Sequence, residues 1–201
     1  MKITGIKTYW LKVPYDKPFE PTWYPGKRET HQHILLVRVM TDEGIEGYGS
    51  GEFPFGLTPT YMTFIQDMIA PWLIGQDPLM IEKLATRLKG DGRLAPRPWI
   101  VENALWDILG KKAGLPAYKV MGGYRDHIPA YAAMCELRSD EERQEDALRL
   151  FDEGFRAVKL RLFMPTIKED IHIVENIRKA VGDKMTIICD ANQGPVRDRN
   201  F

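Results

Sequence analysis

The chain has 201 residues, 44% of them hydrophobic, with 28 basic and 28 acidic side chains and zero formal net charge, a balance that suits one large globular domain or one domain and part of another. Without a run of about five or six like charges, the sequence is not built to grip nucleic acid or an anionic membrane surface, so an anionic substrate would have to be attracted locally. The amino terminus, MKITGIKTYWLKVPYDKPF, lacks the apolar core of a signal peptide and no stretch reaches the length of a membrane span, so a cytoplasmic protein is expected.

Residues 2–13 and 33–40 (HILLVRVM) read as strands, and IEGYGSGEF follows them after the turn signal Thr41-Asp42-Glu43-Gly44, which predicts a hairpin. Between the first two strands, residues 14–32 read as a long loop rich in Pro, Trp and Tyr, and a loop of that length with that content points to function. From Thr58 the apolar spacing changes to three and four residues. TPTYMTFIQDMIAPWLIG, PLMIEKLATRLKG and PRPWIVENALWDILGKKAG read as helices, the last with a stripe of Val101, Ala104, Leu105 and Ile108, and with Gly110 and Ala113 permitting close helix contact.

After Asp126 the pattern becomes strand (PAYAAM), helix, strand (AVKLRL), helix, strand (TIICDAN), the alternation of parallel βαβ units. Ser139 and Glu142 form a capping box, and Gly154 and Gly182 close the two helices. Cys135 and Cys189 lie in apolar strand-like stretches without metal-ligand spacing, which reads as buried, reduced thiols.

Side chains alternate faces along a strand, so Lys159 and Arg161 share one face, and so do Asp190 and Asn192. Taken singly, a basic residue ending a strand is a solvated terminus and Asp-Ala-Asn is an ordinary turn. In register on neighbouring strands of a parallel sheet, they stand where ligands bind, at the carboxyl ends.

The three-strand start, the stretch ENALWDILGKKAGLPAYKVMGG, the lysine of AVKLRL and the D-A-N that ends the next strand together resemble the enolase superfamily, in its mandelate racemase and muconate lactonizing branch. The resemblance covers essentially the whole chain, and A-L-W-D-x-x-G-K-x-x-G-L-P is its most specific part. It implies an α+β capping domain (three-stranded antiparallel sheet plus helices) at 1–126, followed at 127–201 by the first βα units of a (β/α)-barrel, incomplete in this chain. It also implies Mg²⁺ held by three carboxylates at successive strand ends, and abstraction of the proton next to a substrate carboxylate.

Within that resemblance Asp190 matches the first metal ligand, a hard oxygen donor suited to Mg²⁺. Lys159 matches the first basic residue of a K-x-K motif and would hold and polarise the substrate carboxylate. Arg161 stands where many members have a second lysine that serves as a base. A guanidinium, with a pKa above about 12, is almost never free to take a proton, so Arg161 is expected to orient anionic groups or stabilise the enolate. That favours an acid-sugar (aldonate or aldarate) dehydratase, a hydro-lyase whose base comes from later strands, over a racemase, epimerase or cycloisomerase. Asn192 would position the substrate or a metal-bound water. Trp23, Tyr24 and His31 of the long loop, with Phe53 and Phe55, are the expected specificity contacts, closing over the barrel mouth to exclude water. His33, His127 and His172 read as structural.

A complete barrel takes about 250 residues, far more than follow Asp126. The expectation is therefore the amino-terminal part of a longer enzyme, homo-oligomeric at full length, acting on a small carboxylate with no nucleic-acid or membrane partner. The other possibility is a non-catalytic α+β fragment or interaction module.

Overall fold

Alternation along the second strand sets the first layer. Leu35, Val37 and Val39 are buried on one face of β2 (Glu29–Thr41), which pairs antiparallel with β3 (Glu46–Glu52) across the turn that Gly44 closes at φ +75°. With β1 (Ile3–Phe19) they form a three-stranded sheet in the order β1-β2-β3. The structure is a computed structural model and describes residues 1–53, 56–93 and 98–191. The chain divides into two compact units, one of Met1–Asp16 with Thr30–Asp126, the other of Lys17–Glu29 with the chain from His127 onward.

In the first unit the helices are α1 (Thr58–Phe64), which runs through a π turn (Ile65–Ile69) into α2 (Ala70–Leu73), then α3 (Ile81–Asp91), α4 (Trp99–Ala113) and α5 (Ala117–Val120). The buried stripe of α4 contains Ile100, Val101, Ala104, Leu105 and Ile108. It lies on the alternate glycines of β3. Gly47, Gly49 and Gly51 stand opposite Val39, Val37 and Leu35 in the ladder, and a Cβ on Gly49 would overlap the Ile100 carbonyl oxygen. Helix and strand therefore touch backbone to backbone, an approach only glycine allows.

The same helix satisfies the free edge of β3. Asp107 Oδ2 accepts from Tyr48 N at 2.8 Å, and Lys111 Nζ donates to Glu46 O at 2.8 Å while pairing with Asp107 at 2.7 Å. Edge groups left open would be a template for aggregation. The W-D-x-x-G-K part of the family-like stretch thus has a structural use: two of its charged residues cap a sheet edge. Gly110 is buried against the Leu115 carbonyl, as its small size predicts, whereas Ala113 is exposed.

The second unit is a parallel sheet, β4 (Ala132–Met134), β5 (Ala157–Arg161) and β6 (Thr186–Asp190), with α6 (Asp140–Asp152) and α7 (Ile167–Val181) as crossovers. Val158 and Leu160 are wholly buried with Ala147, Ile173 and Ile177 of the helices. Each fully buried aliphatic side chain contributes about 1.5–3 kcal/mol, so one face of β5 anchors the unit and leaves the other for chemistry. Ser139 and Glu142 close the capping box of α6, and Thr166 with Glu169 closes a second one on α7.

Three local expectations change. The segment read as a loop over 14–32 is strand at both ends, over 14–19 and 29–32, with the loop confined to 20–28, because β1 lies at the sheet edge, where Pro14 and Pro18 break no ladder between two neighbours. The strand expected at PAYAAM is confined to Ala132–Met134. Neither thiol is buried as expected: both are free, Cys135 partly covered and Cys189 exposed, since alternation along a strand does not say what covers each face.

Candidate active site at the strand ends

Parallel pairing of β5 with β6 places Lys159 opposite Ile188 and Arg161 opposite Asp190. Because Val158 and Leu160 turn into the core, Lys159 and Arg161 emerge together on the other face. There Lys159 Nζ stands 3.1 Å from Asp190 Oδ2, and Arg161 NH1 stands 3.8 Å from the same oxygen. All three side chains are about four-fifths covered. Two cations thus share one carboxylate, and the cluster keeps a net positive charge able to accept an anion. The hydrogen bond to Asp190 raises the Lys159 pKa above the ordinary lysine value, so its ammonium stays charged. A charged lysine suits holding a carboxylate, not taking a proton.

Aromatic rings bracket both cations. Lys159 Nζ lies 5.5 Å from the centroid of Tyr131, and the Arg161 guanidinium lies 5.2 Å from that of Trp23. Cys135 follows Met134, the partner of Leu160, and so falls level with Arg161 and Asp190 across the strand ends. Behind β5, Asp170 Oδ1 accepts from the backbone N–H groups of Phe163 and Met164 at 3.1 and 3.0 Å, which shapes the turn leaving the site. The exit of β4 is held by Arg143, almost wholly buried, which donates to the carbonyls of Arg138 and Glu136 at 3.3 Å. Burial lowers its pKa from the usual arginine value. Tyr131, Asp170 and Arg143 carry no motif, and only their positions at strand and helix ends could have flagged them.

The remaining expected contacts divide by location. Trp23 and Tyr24 lie in the same unit as the strand ends and are about half exposed. His31 and Phe53 belong to the first unit, where His31 is exposed beside Thr30. Phe53 is 5% exposed and packs on Tyr61 with centroids 3.7 Å apart, the surroundings of a core side chain and not of a substrate contact. Phe55 and Asn192 lie outside the described residues. His33 Nδ1 accepts from the Trp10 indole at 3.0 Å, a structural use.

Asp190 offers one hard oxygen donor of the kind Mg²⁺ takes. Among the described residues no group of three His, Cys, Asp or Glu side chains could hold a metal ion. No helix there is long and apolar enough to cross a membrane.

Residues 12–122 match the mandelate racemase / muconate lactonizing enzyme N-terminal domain, and residues 142–200 match the enolase C-terminal domain-like family. The chain belongs to the mandelate racemase / muconate lactonizing enzyme family of the enolase superfamily. Over 96% of its length it is 30% identical to N-succinyl-L-Arg/Lys racemase of Bacillus cereus, covering 53% of that protein. Over 96% it is also 32% identical to D-galactarolactone cycloisomerase of Agrobacterium fabrum, covering 52%. In structure it is similar to the L-talarate dehydratase of Polaromonas sp. JS666 complexed with Mg and L-glucarate, at 27% identity and a TM-score of 0.82, covering 96% of this chain and 54% of that one. The chain spans about half the length of the curated relatives it matches.

Proposed function

We propose that this chain provides the anion-holding wall and one metal carboxylate of an acid-sugar dehydratase that removes the proton next to a substrate carboxylate. The observation that carries the proposal is Arg161 beside Lys159, both turned to Asp190 on the next strand. The proton next to a carboxylate is weakly acidic because its loss creates a dianionic enediolate, so the site must concentrate positive charge where the new charge develops. Lys159 would bind and polarise the substrate carboxylate, and Arg161 would offer its N–H edge to the enediolate oxygens. Asp190 would hold Mg²⁺ together with carboxylates beyond the described residues, the ion adding Lewis-acid charge at the same oxygens.

An arginine cannot serve as the base on its face of the substrate. The general base would come from elements other than β4 to β6, as would the acid that releases water. The Polaromonas dehydratase supports this reading, since its structure is of a complex with L-glucarate. A second reading, racemase, epimerase or cycloisomerase, is supported by the names of the racemase and cycloisomerase relatives.

The two are separated by incubating the full-length protein with Mg²⁺ and an acid-sugar library in deuterated water. Formation of 2-keto-3-deoxy acids is expected. Exchange of the α-proton without loss of water would overturn the dehydratase reading in favour of the second.

A further inference from the structure

The segment Lys17–Glu29 belongs to the unit that carries the strand ends, and it is fastened there. Thr22 N donates to Cys135 O at 3.0 Å, Leu137 N donates to Glu20 O at 2.8 Å, and Pro21 faces Glu136 in an antiparallel bridge. The Glu20 carboxylate closes the segment on itself, accepting from Gly26 N at 2.9 Å and from Arg28 Nε at 3.1 Å. The Gly26 bond, then that to Arg28, lowers the Glu20 pKa and keeps the acceptor ionised. Trp23 is thus part of a fastened turn. Its ring is braced by Phe19, with centroids 6.1 Å apart, and the Arg161 guanidinium lies against it.

The geometry points to Trp23 as a positioning residue that acts through Arg161, holding the guanidinium against its ring so that the N–H edge stays turned to the strand-end site. This rests on the anion-holding reading above and assigns to Trp23 a role other than direct substrate contact. A guanidinium is planar and its faces are weakly hydrated, so it stacks on an aromatic ring, whereas an ammonium has no such face. Stacking also restricts a long, flexible side chain before any anion arrives, which is preorganisation. Residues 23 and 161 therefore form a matched pair: the indole favours arginine at 161, and arginine there excludes proton transfer from that position.

Two measurements on the full-length protein test the pair. The first is the rate at which phenylglyoxal modifies Arg161, mapped by peptide mass spectrometry, with the exposed Arg149 as internal reference. Trp23→Ala is expected to speed modification of Arg161 about two- to fivefold, and Trp23→Phe to restore most of the protection. The second is malonate affinity by titration calorimetry. Trp23→Ala is expected to weaken it by about the same factor with Arg161 present, and far less in an Arg161→Lys background. Unchanged Arg161 reactivity, or equal losses in both backgrounds, would mean that Trp23 only packs or meets the ligand directly, and overturns the inference. If Arg161 reactivity follows the expectation while the wild type binds no malonate, the stack stands and the anion-holding reading falls.

Discussion

Gly49→Ala is expected to be the most damaging small substitution in the first unit. Its new Cβ would overlap the Ile100 carbonyl oxygen and lie 3.0 Å from the Ile100 carbonyl carbon and 3.1 Å from Ala104 N. All three are backbone atoms of α4, so no rotamer change relieves them. The helix must lift by roughly 1.5 Å to restore an ordinary contact with that oxygen, and a gap of that order forfeits about half or more of the dispersion attraction across the seam. Ile100, Val101, Leu105 and Ile108 are fully buried on that face, and at about 2 kcal/mol each their burial is on the order of 8 kcal/mol. A loss of about 4 kcal/mol or more follows, or at least about 8–16 °C in Tm for a chain of this size.

The assay is thermal and urea denaturation followed by tryptophan emission. Trp10, Trp72, Trp99 and Trp106 all lie in the first unit, so the signal reports mainly on it. Gly90→Ala is the control, because a Cβ there meets nothing within 4 Å and the position is in helix α3; it should be neutral or stabilising by up to about 1 kcal/mol. Gly49→Ala within about 0.5 kcal/mol of the wild type would refute the claim that α4 rests on bare strand backbone.

Three further outcomes are expected. The Glu46 carboxyl is held below its ordinary pKa by its hydrogen bonds to Arg38 and then Tyr48, so its stabilisation is present above about pH 4.5 and is lost as the pH falls through the lower folded value. Glu46→Gln should flatten that acid limb in urea midpoints measured from pH 6 downward, and an unchanged limb would show that the pair contributes nothing. Removing the N-caps of α6 and α7 by Ser139→Ala or Thr166→Ala should each cost about 1 kcal/mol of second-unit stability, read by hydrogen exchange of the β5 amides; no change would mean that water replaces the caps. Lys159→Met removes the cation 3.1 Å from Asp190. It should tighten Mg²⁺ binding about two- to fivefold while weakening malonate binding, both by calorimetry; movement of both affinities in the same direction would contradict the division of labour between anion and metal.

The order of elements was legible in the sequence because periodicity and capping depend on near neighbours: the hairpin at Gly44, the stripe of α4 and the box at Ser139 all stand where their residues predict. The shared face of Lys159 and Arg161 was legible for the same reason, since it follows from the two-residue period of a strand. Alternation names a face but not what lies against it. That Arg161 meets Asp190 in register, that Trp23 reaches Arg161 from residues far earlier in the chain, that three glycines of β3 receive α4, and that Phe53 is core while Cys189 is exposed are all long-range facts. Each depends on which distant segment packs against a given side, and only the tertiary structure decides that.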